Sequence, residues 1–258
     1  MRKTLNAGLG FLLGFILIIS VAMPAHAFEL GARVYYWFPS FEADMRADEG
    51  GSKGTQVDLK DDLGVDNEYY PSVEIYGGLG RHHLSLMYTL LDYSGLATLN
   101  DNVRFNGKDY AGGTTVATDL EAYMLDLEYQ VDIINMENIL AGFSLGAIGK
   151  VKYLDGEATM NSTAAGYTKD TFSLPIPMIG VGAHIGLLAN ILEARAKVTG
   201  MGYSGNTFYE ALADISWTPF PFLDFHGGYK YIKIDVDEDD FYLNSSFSGP
   251  YVALSVGF

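Results

Sequence analysis

Tyr251-Val-Ala-Leu-Ser-Val-Gly-Phe258 closes the sequence and decides the fold class, because large apolar residues alternate in it with smaller ones. Successive side chains of a β-strand point to opposite faces, so Val252, Leu254, Val256 and Phe258 share one face. An apolar face backed by a face of small residues suits a strand that has lipid on one side and a lumen on the other. The segment therefore predicts the last strand of a transmembrane β-barrel.

The beginning of the sequence predicts export. Arg2 and Lys3 precede an apolar run over 7–23, and Ala25-His26-Ala27 offers a small-x-small cleavage site. This order is typical of a secretory signal peptide, so we expect residues 1–27 to be removed. An uncleaved anchor is the alternative, since the apolar run is slightly longer than usual for such a peptide.

Composition excludes several classes of protein. The chain has 258 residues, a formal net charge of -16 and no cysteine. Nucleic-acid binding needs a basic footprint, so we expect no nucleic-acid partner. The lack of cysteine rules out a disulfide framework. No linker or composition break divides the remainder, and we expect 28–258 to form a single barrel domain.

A two-residue period recurs along the chain and predicts ten strands, with eight or twelve as alternatives. The predicted spans are 29–39, 68–80, 82–95, 115–132, 138–154, 172–188, 191–203, 206–218, 222–236 and 248–258. Connections after even-numbered strands are short, whereas four of the five after odd-numbered strands are long. Short periplasmic turns and long external loops are the outer-membrane pattern. The predicted long loops are 40–67, 96–114, 155–171 and 237–247.

Aromatic residues fit the same membrane frame. A cluster at 35–38 lies at the outer end of the first predicted strand, and Trp217, Phe220 and Phe222 surround a periplasmic turn. We therefore expect both clusters to belong to interfacial girdles. Ordinary enrichment of aromatic residues in β-sheets is the alternative explanation.

Together these features resemble a small bacterial outer-membrane β-barrel protein, a porin-like superfamily. The resemblance rests on Ala25-His26-Ala27, the alternating strands over 29–258 and the Val-Gly-Phe ending. It implies an all-β, closed antiparallel barrel in the outer membrane of a Gram-negative cell envelope, surrounded by lipid and lipopolysaccharide. It also implies that the barrel-insertion machinery reads Val252, Leu254, Val256 and Phe258. A soluble periplasmic barrel or sandwich is the alternative fold. Its outer faces would tolerate charged residues, whereas the faces predicted to meet lipid carry none.

The opposite faces of the strands predict a lumen lined by charges of both signs. In a narrow barrel, buried charges must be paired, so one interpretation is a plug of ion pairs. The other is a polar path for ions or small solutes past a charged constriction. The predicted lumen residues are Arg33, Glu74, Asp126, Glu128, Lys150, Lys152, His184, Glu193, Arg195, Lys197, Glu210, Asp214, His226 and Lys230.

Hairpin geometry predicts particular neighbours among these charges. A hairpin centred on Phe220 sets Glu210 opposite Lys230 and Asp214 opposite His226. A tight hairpin at Ser204-Gly205 brings Arg195 near Asp214. A slip of one residue would reverse the faces, so the inward direction is a firmer prediction than any single pair.

We predict that the protein is not an enzyme and needs no cofactor. Asp214 with His226, and His83 with Ser85, have the composition of acid-base or nucleophilic pairs. Both pairs map to the periplasmic half of the barrel, whereas surface proteolysis needs a cleft at the outer rim. An outer-membrane protease or lipid-modifying enzyme therefore ranks last among the alternatives.

The acidic external loops suggest interactions at the cell surface. Carboxylates crowd 40–67 and the segment Asp235 to Asp240, where they can associate weakly with divalent cations. A calcium loop of the EF-hand type is excluded, since Asp240 replaces its glycine and Ser246 its glutamate, so no metal site is predicted. The leading prediction is porin-like passage of small solutes or a structural membrane role, with an adhesin-like surface barrel as the alternative.

Overall fold

The computed structural model describes residues 28–48, 53–136, 142–188, 191–238 and 241–258, and the predicted signal peptide lies outside them. Among these residues, no helix is long and apolar enough to span a bilayer. The strands in the described residues are β1 (Phe28–Trp37), β2 (Ser40–Ala47), β3 (Val57–Asp58), β4 (Tyr70–Leu79), β5 (His82–Thr98), β6 (Val103–Phe105), β7 (Lys108–Tyr110), β8 (Thr115–Asn135), β9 (Phe143–Ser162), β10 (Gly166–Leu188), β11 (Leu192–Tyr203), β12 (Asn206–Phe220), β13 (Leu223–Glu238) and β14 (Phe241–Gly257).

The sheet closes on itself. β1 pairs with β4 on one side and with β14 on the other, and the remaining wall strands follow in chain order with antiparallel pairing. In the described part of the chain, β1, β4, β5 and β8 to β14 thus form a wall of ten strands. The predicted fold class, an all-β closed antiparallel barrel, is confirmed.

β2 prolongs β1 past a break at Pro39. It pairs with the outer half of β14, where Phe41 faces Phe247. Proline has no N–H for the ladder, so the pairing of β1 stops before it. A Cβ atom on Gly249 would lie 2.1 Å from the carbonyl oxygen of Phe38, so only glycine allows the chains to approach closely at this step.

Several predicted loops are wrong because the strands run on. β9 and β10 extend to Ser162 and Gly166, through most of 155–171, and β13 and β14 extend through most of 237–247. The reason is a reversal of the apolar face. On β13, Tyr229 and Tyr231 point outward, whereas Ile232 and the next alternate residues are buried inside. The strand continues, but its apolar residues change from the outward-facing positions to the inward-facing positions.

The extracellular half of the lumen is filled by an apolar core. Wall strands contribute part of it, and two inward-folded segments, 57–65 with β3 and 99–110 with the β6–β7 hairpin, contribute the rest. Leu63 and Tyr110 from these segments are completely buried. Wall residues of the core include Phe41, Met45, Tyr93, Val116, Met160, Ile176, Phe208, Ile234 and Phe247.

The aromatic prediction is half correct on β1. Tyr36 and Phe38 point outward, and Phe38 packs edge-on against Tyr69 at 5.3 Å between ring centroids. Tyr35 and Trp37 instead point into the lumen and are buried. Trp217, Phe220 and Phe222 are more than half exposed around the periplasmic turn, as an interfacial girdle requires.

A charge on the lipid-facing wall tests the membrane frame. Val181 lies midway along the apolar outer face of β10. We expect Val181→Lys to lower the free energy of unfolding by about 2 to 4 kcal/mol, because the ammonium group would lie near the bilayer midplane. Urea unfolding in lipid vesicles measures this. Thr171→Lys, outward but beyond the apolar band, is the matched control and should leave stability nearly unchanged; equal losses would contradict the frame.

Candidate functional site in the barrel interior

On the periplasmic side of the apolar core, a layer of buried ion pairs crosses the lumen. Lys150 and Lys152 point inward from β9, and the register sets Lys152 opposite Asp126 of β8. The Lys152 Nζ atom lies 2.6 Å from Asp126 and 3.1 Å from Glu210, which reaches across from β12. Lys150 lies 2.8 Å from the other oxygen of Glu210. These charges are compensated by Asp126 from the neighbouring strand and by Glu210 from across the lumen, as burial demands.

A second layer, nearer the periplasm, combines arginines with tyrosines. Arg33 and Glu74 are cross-strand partners on β1 and β4, with 2.8 Å between their charged atoms. The Tyr35 hydroxyl donates to Glu74 at 2.7 Å. The Arg33 guanidinium also stacks over the Tyr76 ring at 4.8 Å. The carboxylate of Glu74, the hydroxyl of Tyr35 and the ring of Tyr76 together hold the guanidinium in one place.

Asp214 of β12 is the centre of the same layer on the other wall. It accepts hydrogen bonds from Arg195 and from the Tyr251 hydroxyl, both at 2.5 Å. His226 lies beside it, with 3.9 Å from its Nδ1 atom to the second carboxylate oxygen. The Nε2 atom of His226 is 3.0 Å from Ser255, whose side chain is completely buried.

A cavity of about 380 Å³ lies between these groups and the periplasmic end. Its wall includes two histidine-carboxylate pairs: His83 with Asp132 at 3.2 Å, and His184 with Glu193 at 3.1 Å. Gln130 donates to the other oxygen of Asp132 at 2.8 Å. The short turns and the first and last described residues, Phe28 and Phe258, lie on this side, which is the periplasmic side in outer-membrane barrels.

All fourteen side chains predicted for the lumen lie on the inner wall, in the two charged layers or around the cavity. Their predicted pairs are partly right. Arg195 faces Asp214, as predicted. On the next hairpin, Lys230 faces Leu212, and Glu210 faces Ile232.

The second hairpin was mispredicted because its turn lies beyond Phe220. Phe220 pairs with Leu223 across a turn at Pro221-Phe222, and after the one-residue irregularity between Trp217 and Phe220 the ladder is displaced by two residues from the predicted pairing. Asp214 therefore faces Gly228 across the ladder, and His226 faces Ser216. A shift of two residues keeps every side chain on its face, so the inward direction survives the error.

Two kinds of functional residue escaped sequence reasoning. Tyr35 was predicted to belong to the interfacial girdle, and no contact was predicted for Tyr76 or Tyr251, yet all three contact the charged residues from inside. Lys197 reaches Glu128, and Lys150 reaches Glu210, across the lumen between strands that are not neighbours. Strand alternation gives the inward direction but no signal for contacts across the barrel.

No protein-family model and no curated protein matches the chain. Solved structures do. The outer membrane protease OmpT from Escherichia coli aligns with a TM-score of 0.58 and 12% identity over 89% of this chain and 97% of its own. The protein has the fold of a bacterial outer-membrane β-barrel. The translocator domain of autotransporter NalP from Neisseria meningitidis aligns at a TM-score of 0.41 and 11% identity, over 99% of this chain and 97% of its own.

The likeness to OmpT, at its low identity, establishes the fold and no activity. The uncharged apolar band of the outer wall agrees with that fold, since Val252, Leu254 and Val256 are about half exposed and point away from the lumen. An outer wall of this kind is stable in lipid and not in water. The barrel therefore lies in the bacterial outer membrane.

Two acidic residues of the barrel's outer rim accept hydrogen bonds from other groups of the rim. Asp48 accepts hydrogen bonds from Arg46 and from the Gly54 backbone, and Asp58 accepts from the backbone of Asp61. Within the described ranges, no group of three side chains could hold a metal ion. Outside those ranges lie Glu49, Asp239 and Asp240.

On the outer wall of the rim, Lys169 donates a hydrogen bond to Glu157 on the facing strand of the β9–β10 hairpin. This bond raises the pKa of Lys169 above its usual value, and the charge of Glu157 acts in the same direction. Both side chains are well exposed, so the pair adds little to stability.

Removing one member of a buried pair tests whether the charged layers hold the barrel together. We expect Arg33→Met to cost about 3 to 5 kcal/mol of stability, because Glu74 stays buried without its counter-charge. The double change Arg33→Met with Glu74→Gln should recover most of the loss. Unfolding in detergent or lipid measures both. A double variant no more stable than the single one would show that packing, and not charge pairing, sets the cost.

Proposed function

We propose that this outer-membrane barrel is closed to solutes and has a structural role in the outer membrane. One observation carries the proposal: the extracellular half of the lumen is occupied by a packed apolar core, with completely buried side chains such as Leu63 and Tyr110. A porin needs a water-filled channel along its whole length. An apolar core excludes the ions and polar solutes that such a channel carries.

The charged layers on the periplasmic side of the apolar core support the same conclusion. Lys150 and Lys152 are nearly inaccessible and are held by carboxylates from two walls. Ions that pass a constriction need groups that are free to exchange partners. Side chains locked in mutual pairs instead stabilise a filled barrel, and a wall of this size leaves little space around them.

A surface hydrolase has little support among the histidines. The sequence has five, and His26 belongs to the predicted signal peptide. His82, His83, His184 and His226 all lie on the periplasmic half of the wall strands. An extracellular protease of the histidine-dependent kind would need one at the opposite rim. Ser255, the hydroxyl next to His226, is completely buried and beyond the reach of a substrate.

Conductance tests the closed-barrel proposal. We expect the purified barrel to give no stable conductance in planar bilayers, because the apolar core interrupts the water path. The double variant Phe105→Ala with Tyr110→Ala removes two buried rings from the inward-folded hairpin and should raise conductance or its fluctuations. Tyr203→Ala, at an exposed outer turn, is the control and should stay silent. Stable porin-sized conductance of the unmodified protein would overturn the proposal.

Recognition at the cell surface is a second candidate, favoured by the ordered rim. The β9–β10 hairpin runs without a break to Ser162 and Gly166 and presents Asn161, Tyr167 and Lys169 outward. Rigid strands present side chains in fixed geometry, which lowers the entropic cost of binding. Cells displaying the protein should then adhere to a surface partner, and replacement of 161–168 by a glycine-serine linker should abolish adhesion. Unchanged adhesion would remove this candidate.

A further inference from the structure

The outer wall has a groove at its periplasmic end, across β1, β4 and β5. Its volume is about 510 Å³. The side chains that border it on the lipid side are apolar: Phe28, Leu30, Ile75, Leu79 and Leu84. The groove faces away from the lumen, so its role is independent of whether the barrel conducts.

Gly77 forms the floor of the groove. Its position faces outward from β4, and its cross-strand partners are Leu30 on β1 and Leu84 on β5. Leucine side chains therefore stand on both sides of a position that has no side chain. A Cβ atom at Gly77 would lie 3.3 Å from the carbonyl oxygen of Glu29, so a larger residue fits here after a small shift of the wall. The glycine keeps the groove open.

The groove lies at the depth of the inner leaflet. β4 ends at Leu79, and the turn 80–81 leads into β5 at His82. Gly77 precedes Gly80 of that turn by three residues, which is about 10 Å along a strand. A strand tilt of about 35 to 45° makes this about 7 to 8 Å of depth in the membrane. The acyl chain of a phospholipid whose headgroup lies at the turn therefore passes over Gly77.

One basic residue marks the headgroup end of the groove. The short turns are 80–81, 136–142, 189–191 and 221–222, and among their residues only Arg81 is a lysine or arginine. Its side chain is exposed. Ion pairs among the described residues involve the other four arginines, at 33, 46, 104 and 195, and not Arg81. A guanidinium at the membrane surface matches a lipid phosphate, which it can bind through two parallel hydrogen bonds.

The next residue, His82, is held on the outer wall. Its Nδ1 atom lies 2.6 Å from the Tyr129 hydroxyl, and the two rings stack with 6.0 Å between centroids. Both side chains border the groove. Each has an apolar body and a polar tip, which suits the boundary between acyl chains and headgroups. From the turn into the membrane, the wall thus presents an arginine, a pair of polar rings and then leucines, in the order of a phospholipid from phosphate to acyl chain.

A second apolar depression on the outer wall has no such charge. It lies over β10 to β13, has a volume of about 580 Å³ and is lined by small residues, among them Ala183, Ala196, Ala213 and Gly227. The turns at its periplasmic end, 189–191 and 221–222, contain no basic residue. Lipid can fill this depression, but nothing there fixes a headgroup. Shape alone therefore does not distinguish the two depressions, whereas charge does.

We infer that the groove at Gly77 binds one phospholipid of the inner leaflet, with the phosphate on Arg81 and an acyl chain over Gly77. The phosphate supplies a counter-charge to the guanidinium, and basic groups near a membrane surface are stabilised by anionic lipid. The acyl chain fills the space between Leu30 and Leu84. Lipopolysaccharide also carries phosphates, but these lie at the opposite surface of the membrane from Arg81.

Native mass spectrometry of the full barrel, released from a neutral detergent with added phosphatidylglycerol, tests the inference. We expect one lipid to remain bound. Arg81→Gln should weaken the affinity about fivefold, the usual contribution of one basic group near a membrane surface. Gly77→Leu should also weaken it, because the leucine fills the groove. Ala196→Leu, which fills the second depression, is the matched control and should bind like the unmodified protein.

Diacylglycerol with the same acyl chains separates the phosphate from the apolar contact. It should bind the unmodified barrel no better than phosphatidylglycerol binds Arg81→Gln. Equal binding of the two lipids, or an equal loss with Ala196→Leu, would overturn the inference, since lipid would then only coat the apolar wall. So would the absence of any retained lipid. Arg81 lies in an exposed turn, so Arg81→Gln keeps the fold even where Gly77→Leu does not. Circular dichroism before each measurement verifies that the barrel is intact.

Discussion

Closure of the sheet determines what the interior of this barrel can contain. In lipid, every backbone N–H and C=O group must be paired within the protein, and a barrel achieves this by leaving no edge. Here the pairing of β1 with β14 closes the wall. Arg33 is the cross-strand partner of Ser255 on one side and of Glu74 on the other. Once the wall closes, its inner face can satisfy polar groups only with one another or with a ligand.

The interior follows from the environment at each height. Where lipid surrounds the wall, the outer face is apolar and the lumen holds the charges that lipid rejects. Beyond the membrane the outer face is polar, and the apolar residues of the same strands point inward. Ile232, Ile234 and Val236 continue β13 in this reversed phase, and Phe41 and Met45 do so on β2. The result is a barrel with a membrane protein's polar lumen at one end and a soluble protein's core at the other.

Sequence reasoning was strong wherever a local period carried the information. The two-residue period of the predicted strands 172–188 and 191–203 placed His184, Arg195 and Lys197 on the correct inner face, and the tight hairpin at Ser204-Gly205 set the correct register between β11 and β12. It failed where the apolar phase reverses, since loops were expected in place of the outer parts of β9, β10, β13 and β14. The inward-folded segments and the contact of Lys197 with Glu128 depend on approach across the lumen, which no local pattern encodes.

The lumen opens toward the periplasm and is filled toward the outside, and the labelling of single cysteines tests this directly. The chain has no cysteine, so single cysteines report accessibility without background. Ser85→Cys lines the cavity and Met160→Cys lies in the apolar core. In vesicles of known barrel orientation, a small charged thiol reagent should modify the cysteine at 85 only from the side of the short turns, and the cysteine at 160 from neither side. Modification at 85 from the outer rim at a comparable rate would show that the lumen is open toward the outside.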